Sequence, residues 1–393
     1  MVYSDRQSIV SLRWRWLVIA LLYTATLLVG YWLIRASWQL QLATSWVTLA
    51  AATMAIQMGI LWWALDKNRL ATDALLLPFL GYANSMTLTR GLLTCLLAGF
   101  LFAPRPTGWL AWAPAVLYSL ERLLDYLDGY VARVTGQETR LGAILDMEFD
   151  SLGFLIAVTL AIQYGQLPVW YIVLGMAHQL FVAGVWLRQR WKLPVYPYPA
   201  SEQGRLTAGL QTSFASVVLW PILSPQITML ASYLFAMPLI YSFGRDWLVV
   251  CGVLDTASPQ YRSGRRLIKA FFEGWLPLVT RLTGAVLASF LLWQALSGSG
   301  VLGAQTLGAG LTLFWALCIC LLLAGVLGRL AALALVTLAA AAITATGLHW
   351  PVNGLLLVCT LIVVHLGSGR FALWKPEERW LRTKLGLSAV PAR

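Results

Sequence analysis

The stretch "LDYLDGYVARVTGQETRLGAILDMEFD", residues 124–150, gathers Asp125, Asp128, Asp146 and Asp150 with Glu138 and Glu148, in a chain of 393 residues that has only 16 acidic side chains. Apolar runs flank it on both sides. Asp125, Asp128, Gly129 and Ala132 are spaced i, i+3, i+4, i+7, and Gly142, Asp146 and Asp150 are spaced i, i+4, i+8, so each set lies on one face of a helix. A short turn at 134–141 lets the two faces meet. Four converging carboxylates cannot stay ionised and unpaired in a low-dielectric site. Carboxylate oxygens suit Mg²⁺ or Mn²⁺, which also bind substrate phosphates. Two such ions about 4 Å apart clamp the attacking and leaving oxygens of a displacement at phosphorus. The pattern asks for a phosphate-bearing substrate at a membrane surface. The bland alternative is an acidic interfacial loop, against which the regular spacing on both helices counts.

Outward from this stretch the chain is 59% hydrophobic and 11% charged, far from a soluble domain. A membrane span needs about 20 apolar residues, and such runs predict about twelve spans: 16–34, 43–65, 85–103, 108–127, 142–163, 168–187, 206–223, 227–244, 274–297, 305–327, 330–347 and 351–368. The expected fold class is an all-α polytopic membrane protein with about twelve transmembrane helices. The first run is too long for a signal peptide and lacks a small-residue cleavage site, so it reads as an uncleaved helix. Cys95, Cys251, Cys318, Cys320 and Cys359 lack metal-ligand spacing and read as small apolar residues.

The net charge of +12 is distributed by loop, which excludes nucleic acid as the partner and points to membrane topology. Alternate loops hold nearly all Lys and Arg, from Arg6, Arg13 and Arg15 through Lys67 and Arg69, Arg133 and Arg140, and 188–205, to the tail after Arg370. The positive-inside rule then puts both termini and the 128–141 loop in the cytoplasm, of a bacterial inner membrane on the resemblance given below. Basic residues on that side suit anionic headgroups. Four segments follow: 1–66, an N-terminal two-helix membrane segment; 67–250, a six-helix core; 251–268, a cytoplasmic linker with the turn-rich "DTASPQYRSGRR"; and 269–393, four helices with a basic tail. No internal repeat of the transporter kind is evident.

Asp125-x2-Asp128-Gly129-x2-Ala132-Arg133-x8-Gly142-x3-Asp146-x3-Asp150 resembles the signature of the CDP-alcohol phosphotransferases (CDP-alcohol phosphatidyltransferases) without a mismatch. Asn84-x2-Thr87-x2-Arg90 resembles that family's nucleotide-side motif. The resemblance covers about 70–248 and implies six helices forming the family's core. It implies a transferase of phospholipid biosynthesis that moves a substituted phosphate from a CDP-alcohol to an acceptor hydroxyl and releases CMP. The implied cofactors are two Mg²⁺ or Mn²⁺ ions held by Asp125, Asp128, Asp146 and Asp150, with Asp150 also the general base. Asn84, Thr87, Gly129, Ala132, Arg133 and Gly142 would hold the CDP moiety, Arg133 near phosphate.

The family's Gly-Lys-x2-Thr-x2-Gln element reads "GRLTAGLQ" here: Gly204, Arg205 and Gln211 fit, and Thr207 is one place early. Met147-Glu148 stands where the eukaryotic choline and ethanolamine enzymes have His-Gly. The chain is more similar to the bacterial branch, which favours CDP-diacylglycerol as donor. The implied partners are that donor, a small or phosphorylated alcohol acceptor, membrane lipids and, as an oligomer, a second copy in a homodimer. Two rival readings are a membrane transporter and a catalytically inactive scaffold on the same core.

Arg188, Arg190 and Arg205, with Lys192, read either as an acceptor-phosphate site or as plain positive-inside topology. Glu121 and Arg122 read as a pair bracing the site or as substrate contacts. His178 reads as a core histidine, and Trp near span ends as an aromatic belt. Residues 269–370 loosely resemble the DoxX-like four-helix membrane family in "GRLAALALV" and "GSGRFAL", and read as a packing partner or an oligomerisation surface.

Overall fold

The computed structural model describes residues 5–70, 75–135, 139–197, 202–256, 258–297 and 309–376; at some helical positions, Asp128, Gly129, Ala132, Arg133 and Arg205 among them, the backbone alone is described. The described residues are helical throughout, with isolated bridges in place of strands. In chain order the helices are α1 (Asp5–Arg35), α2 (Leu40–Ala64), α3 (Gly81–Ala98), α4 (Ala113–Thr135), α5 (Arg140–Gln163), α6 (Ile172–Gly175), α7 (Ala177–Arg190), α8 (Glu202–Val218), α9 (Pro225–Val250), α10 (Pro259–Ala270), α11 (Leu276–Ser297), α12 (Ala309–Ala324), α13 (Gly328–Thr346) and α14 (Leu355–Leu366).

Among the described residues five helices are long and apolar enough to cross a membrane: α1, α2 (with its extension to Lys67), α9, α11 and α13. Val169–Gly175 with Ala177–Arg190 adds a sixth if that pair, bent by 59°, is one span. The about twelve spans expected from the sequence are therefore reduced to five or six by length and composition. The physical reason at the centre of the chain is charge. Helix α4 carries Glu121, Arg122, Asp125 and Asp128, and α5 carries Asp146, Glu148 and Asp150, which break their apolar windows. The outer face of α1 shows the solvent the protein is built for: Leu21, Leu28 and Trp32 are 69%, 59% and 71% exposed. Apolar surface of this extent belongs against lipid.

The chain forms two compact units, one of Met1–Leu180 with Thr212–Ile222, the other of Phe181–Gln211 with Leu223–Arg393. In the first, α1 and α2 pack on each other, α2 packs on α3, and α3 packs on both α4 and α5. The ring of Trp46 on α2 is the wedge of this arrangement. It is 2% exposed, and a methyl built on Gly30 of α1 or Gly99 at the end of α3 would come within 2.7 Å of its ring carbons. Tyr23 donates its hydroxyl proton to the Leu88 carbonyl, and Trp16 Nε1 donates to the Met58 carbonyl at 2.9 Å. The buried face of α3 is polar, with Asn84, Thr87, Arg90 and Thr94 all inside. That inversion is what lipid as solvent requires: polar groups turn toward protein, away from hydrocarbon.

In the second unit α11, α12, α13 and α14 pack in sequence, α11 also meets α14, and α9 packs on α14. The stretch 251–268, expected as a linker, is helical from Pro259 onward. Arg281 Nη1 donates to the Ser368 carbonyl at 2.9 Å and Arg329 Nη1 to the Val364 carbonyl at 3.1 Å. Both cations thus satisfy carbonyls at or just beyond the C-terminus of α14, where a helix leaves them unpaired.

The wedge has a measurable consequence. Gly99→Ala should lower the unfolding midpoint in detergent by the equivalent of about 1–3 kcal/mol, the usual range for overpacking. Gly59→Ala on α2, whose methyl meets nothing within 4 Å, should be neutral or stabilising by up to about 1 kcal/mol. Equal midpoints for the two variants would mean that the Trp46 ring simply moves aside.

Candidate functional site

The site stands where α3, α4 and α5 meet in the first unit. Arg90 reaches it from α3, Glu121, Arg122 and Asp125 from α4, and Asp146 and Asp150 from α5. The Arg90 side chain is wholly buried. Its Nη2 lies 2.8 Å from Asp125 Oδ1, its Nη1 donates to Asp146 Oδ1 at 2.8 Å, and Nη2 also pairs with Asp150 Oδ1 and lies 3.6 Å from Glu121 Oε1. Arg122 pairs with its neighbour Glu121, and spans Asp150 Oδ1 at 2.8 Å and Asp125 Oδ2 at 3.4 Å. Its guanidinium also stands over the Tyr118 ring, 5.5 Å from the centroid.

The cluster has a closed floor and an open rim. The side chains of Arg90 and Glu121 are 0% and 1% exposed, whereas those of Asp125, Asp146 and Asp150 are 32%, 49% and 34% exposed. Four carboxylates against two guanidinium groups leave a formal charge of 2 − 4 = −2 among the described side chains. One oxygen each from Asp125, Asp146 and Asp150 lies within 4.8 Å of the others. Hard oxygen donors, an open face and surplus negative charge fit a divalent cation of the Mg²⁺ or Mn²⁺ kind.

Close helix approach puts these groups in reach. A methyl on Gly91 would come within 2.6 Å of the Phe149 ring, so the backbone of α3 lies directly against an α5 side chain one residue from Arg90. Gly142 plays the same part nearer the helix ends, where a Cβ would collide with Asn84 Oδ1. Asn84 Nδ2 donates to Thr139 Oγ1 at 3.1 Å, and Thr139 caps α5 by accepting from Gly142 N at 3.0 Å. Asn68 joins them: its Oδ1 lies 3.4 Å from Asn84 Nδ2, and its own amide donates to the Phe79 carbonyl at 2.8 Å. Asn84 and Arg90 are six residues apart on α3, so this polar network sits about 9 Å along the helix from the carboxylates.

Of the residues singled out from sequence, the structure brings Asp125, Asp146 and Asp150 together, and sets Asn84, Thr87 and Gly142 on the elements beside them. Thr87 is buried and its hydroxyl donates to the Ala83 carbonyl at 3.2 Å. The side chains of Asp128, Gly129, Ala132, Arg133 and Arg205 lie outside the described residues. Arg188 and Arg190 belong to the second unit, where Arg188 donates to the Pro194 carbonyl at 2.8 Å and to Cys251 Sγ at 3.2 Å. Glu121 and Arg122 form a pair bracing the cluster. The placement of Arg90 at the centre of the carboxylates is what sequence reasoning missed. The signal was present: a lone charge, Arg90, on an otherwise uncharged helix of a membrane protein needs an anionic partner.

Removing Arg90 should therefore be felt as unfolding. Arg90→Ala leaves four carboxylates facing Arg122 alone, and breaking a buried pair in this way costs about 3–5 kcal/mol. Arg90→Lys keeps the charge without the planar fork and should fall between the two. The check is the unfolding midpoint of the purified variants in detergent; an Arg90→Ala protein as stable as wild type would show that the carboxylates do not need this cation.

The comparisons with known proteins agree with the placement of this site. The family model described as CDP-alcohol phosphatidyltransferase matches residues 80–240. A CDP-diacylglycerol–glycerol-3-phosphate 3-phosphatidyltransferase of Cereibacter sphaeroides is 34% identical over 89 residues, 22% of this chain and 39% of that protein. The Escherichia coli K12 protein of the same description is 31% identical over 72 residues, 18% of this chain and 38% of that one. A putative cardiolipin synthase of Mycobacterium tuberculosis H37Rv is 28% identical over 110 residues, 28% of this chain and 51% of its own length. The chain thus spans about half or less of the length of the curated relatives it matches. No solved structure matches it significantly. Helices α3, α4 and α5, which carry the carboxylate cluster, all fall inside the segment 80–240 that matches the CDP-alcohol phosphatidyltransferase family model.

Proposed function

We propose that this chain is an integral membrane transferase that moves a phosphatidyl group from CDP-diacylglycerol, or a like substituted phosphate from another CDP-alcohol, to an acceptor hydroxyl and releases CMP. The observation that carries the reading is the half-open cluster of Asp125, Asp146 and Asp150, inside the segment that matches the family. Asp150 takes the proton of the acceptor alcohol. The acceptor oxygen then forms a bond to the β-phosphorus of the donor, and the bond from that phosphorus to the bridging oxygen breaks, so that CMP departs with the electron pair. Both arginine bonds described for Asp150 end on Oδ1, which supports Oδ2 as the atom that takes the proton. Asp125, Asp128 and Asp146, with Asp150 shared, are the residues that would hold two Mg²⁺ or Mn²⁺ ions. When bound, these supply charge stabilisation to the phosphates at the reacting centre.

Asn84, Thr87, Gly129, Ala132, Arg133 and Gly142 are proposed to shape the place of the CDP moiety, with Arg133 toward phosphate. Arg188, Arg190 and Arg205 are proposed for the phosphate of a phosphorylated acceptor. The site and both termini are taken to face the cytoplasm, and the division into 1–66, 67–250, 251–268 and 269–393 is kept, the last as a loosely DoxX-like accessory block. Relatives named as glycerol-3-phosphate phosphatidyltransferases support a phosphorylated polyol as acceptor.

Protein in liposomes should release CMP from CDP-diacylglycerol only with Mg²⁺ or Mn²⁺ present. Turnover that survives excess chelator would sink the metal assignment. Asp150→Asn should lose at least about a hundredfold in rate, the low end for general base catalysis, while the folded protein still binds a CDP ligand. A variant within about tenfold of wild type would move proton abstraction to another group.

A further inference from the structure

Away from the carboxylate site, the second unit holds a cavity of about 450 Å³ lined by Arg266, Ala270, Gly274, Gly369, Arg370, Phe371, Ala372 and Lys375. Three cations are among the described lining residues, which include no carboxylate. Two of the cations are held in place. Arg370 lies 5.0 Å from the centroid of the Trp275 ring while its backbone N–H donates to the Gly274 carbonyl at 3.1 Å, and Lys375 Nζ donates to the Gly369 carbonyl at 3.0 Å. The wall between them is bare backbone. A Cβ on Gly274 would stand 3.3 Å from Arg370 Nε, and one on Gly369, at φ +70°, 2.9 Å from Leu278 N. Phe371 adopts φ 57°, uncommon for a bulky residue, and such local strain gathers at ligand sites.

Three cations lining one open depression suit an anion, and guanidinium and ammonium groups together suit phosphate oxygens. The rim says which kind. Phe371, Leu373 and Trp374 are 76%, 78% and 57% exposed, and Trp275 is 47% exposed, the aromatic and apolar surface of a membrane interface. The sequence of α10, which supplies Arg266, places Arg262, Arg265, Arg266 and Lys269 within eight positions. We infer that the cavity of Arg266, Arg370 and Lys375 binds the phosphate headgroup of an anionic phospholipid at the membrane surface, with Phe371, Leu373 and Trp374 set against the acyl chains. The site lies outside the segment that matches the transferase family.

The test is a titration of the purified full-length protein in a neutral detergent with short-chain phosphatidylglycerol, followed by calorimetry. Short-chain phosphatidylcholine and inorganic phosphate serve as comparison ligands, and Asp146→Asn keeps the carboxylate site from contributing. In that background phosphatidylglycerol should bind at least about tenfold more tightly than phosphatidylcholine. Arg266→Ala with Lys375→Ala should weaken it by about tenfold or more, since each cation near an anionic lipid contributes on the order of 1 kcal/mol. An unchanged unfolding midpoint shows that this double variant is folded; if it is not, Arg266→Gln alone, at an exposed position, takes its place with a smaller loss in the same direction. Equal affinity for the two lipids, or equal affinity of folded variant and wild type, overturns the proposal. Inorganic phosphate binding as tightly as phosphatidylglycerol overturns the lipid assignment.

Discussion

The guanidinium of Arg90 is the constraint on which the first unit depends. Its side chain is wholly buried and pairs with carboxylates from α4 and α5. A cation in that position cannot be left unpaired, and neither can the carboxylates around it. Three helices must therefore meet at one depth, whatever else their side chains prefer. Gly91 and Gly153 allow the approach: the first lies under Phe149, and a Cβ on the second would sit 3.4 Å from Thr94 Oγ1 and 3.8 Å from Glu121 Oε1. Small residues at helix crossings are how membrane helices bring backbones together when water gives no drive to association.

The same pairing explains how a stable arrangement also presents an open, charged face. Arg90 and Glu121 are sealed from solvent, so the floor of the cluster is fixed by charges that have nowhere else to go. Asp125, Asp146 and Asp150 share their oxygens between that floor and an open rim. Among the described side chains a formal charge of −2 is left over, and the carboxylates that carry it reach the open rim. Such a surface suits a divalent cation of the kind proposed for the site. The helical order is therefore oriented: structural charge inside, binding charge outside, with i, i+4 spacing on α5 carrying Asp146 and Asp150 to the same side.

Much of this was legible in the sequence because helical spacing is a local property. The positions of Asp125, Asp146, Asp150 and Gly142 follow from periods of three and four, and the all-helical class from the apolar runs. Depth and partners are not local. Asn84, Thr87 and Arg90 read as one motif, yet Asn84 joins Thr139 and Asn68 near the helix ends while Arg90 joins the carboxylates about 9 Å further along. The place of Gly142 on the face of Asp146 and Asp150 was legible, but its contact with Asn84 depends on the crossing of α3 and α5, which no local pattern encodes. The count of about twelve spans is matched by five or six among the described residues, by length and composition, for a related reason. Apolar runs around 108–127 and 142–163 look like lipid-facing segments, but Glu121, Arg122 and Asp125 in the first and Asp146, Glu148 and Asp150 in the second interrupt them and shorten the apolar stretch.

The N-terminal pair α1 and α2 lies outside the family segment at 80–240, and its packing shows why it is no mere appendage. Gln57 of α2 is wholly buried, lies 3.2 Å from Cys95 Sγ, and has its Oε1 2.8 Å from where a Cβ of Gly91 would be. Tyr23 of α1 donates to the Leu88 carbonyl on the same helix, and the Trp46 ring fills the space beneath Gly99. These contacts fall on both sides of Arg90 along α3. A helix held at Leu88, Gly91, Cys95 and Gly99 can neither slide nor rotate by a residue without opening a buried hydrogen bond or a gap around an indole. A one-residue rotation turns a side chain by about 100°, which would take the guanidinium out of reach of Asp146 and Asp150. The position of the cation, and with it the geometry of the carboxylates, is thus set from behind by two helices that contribute no group to the cluster.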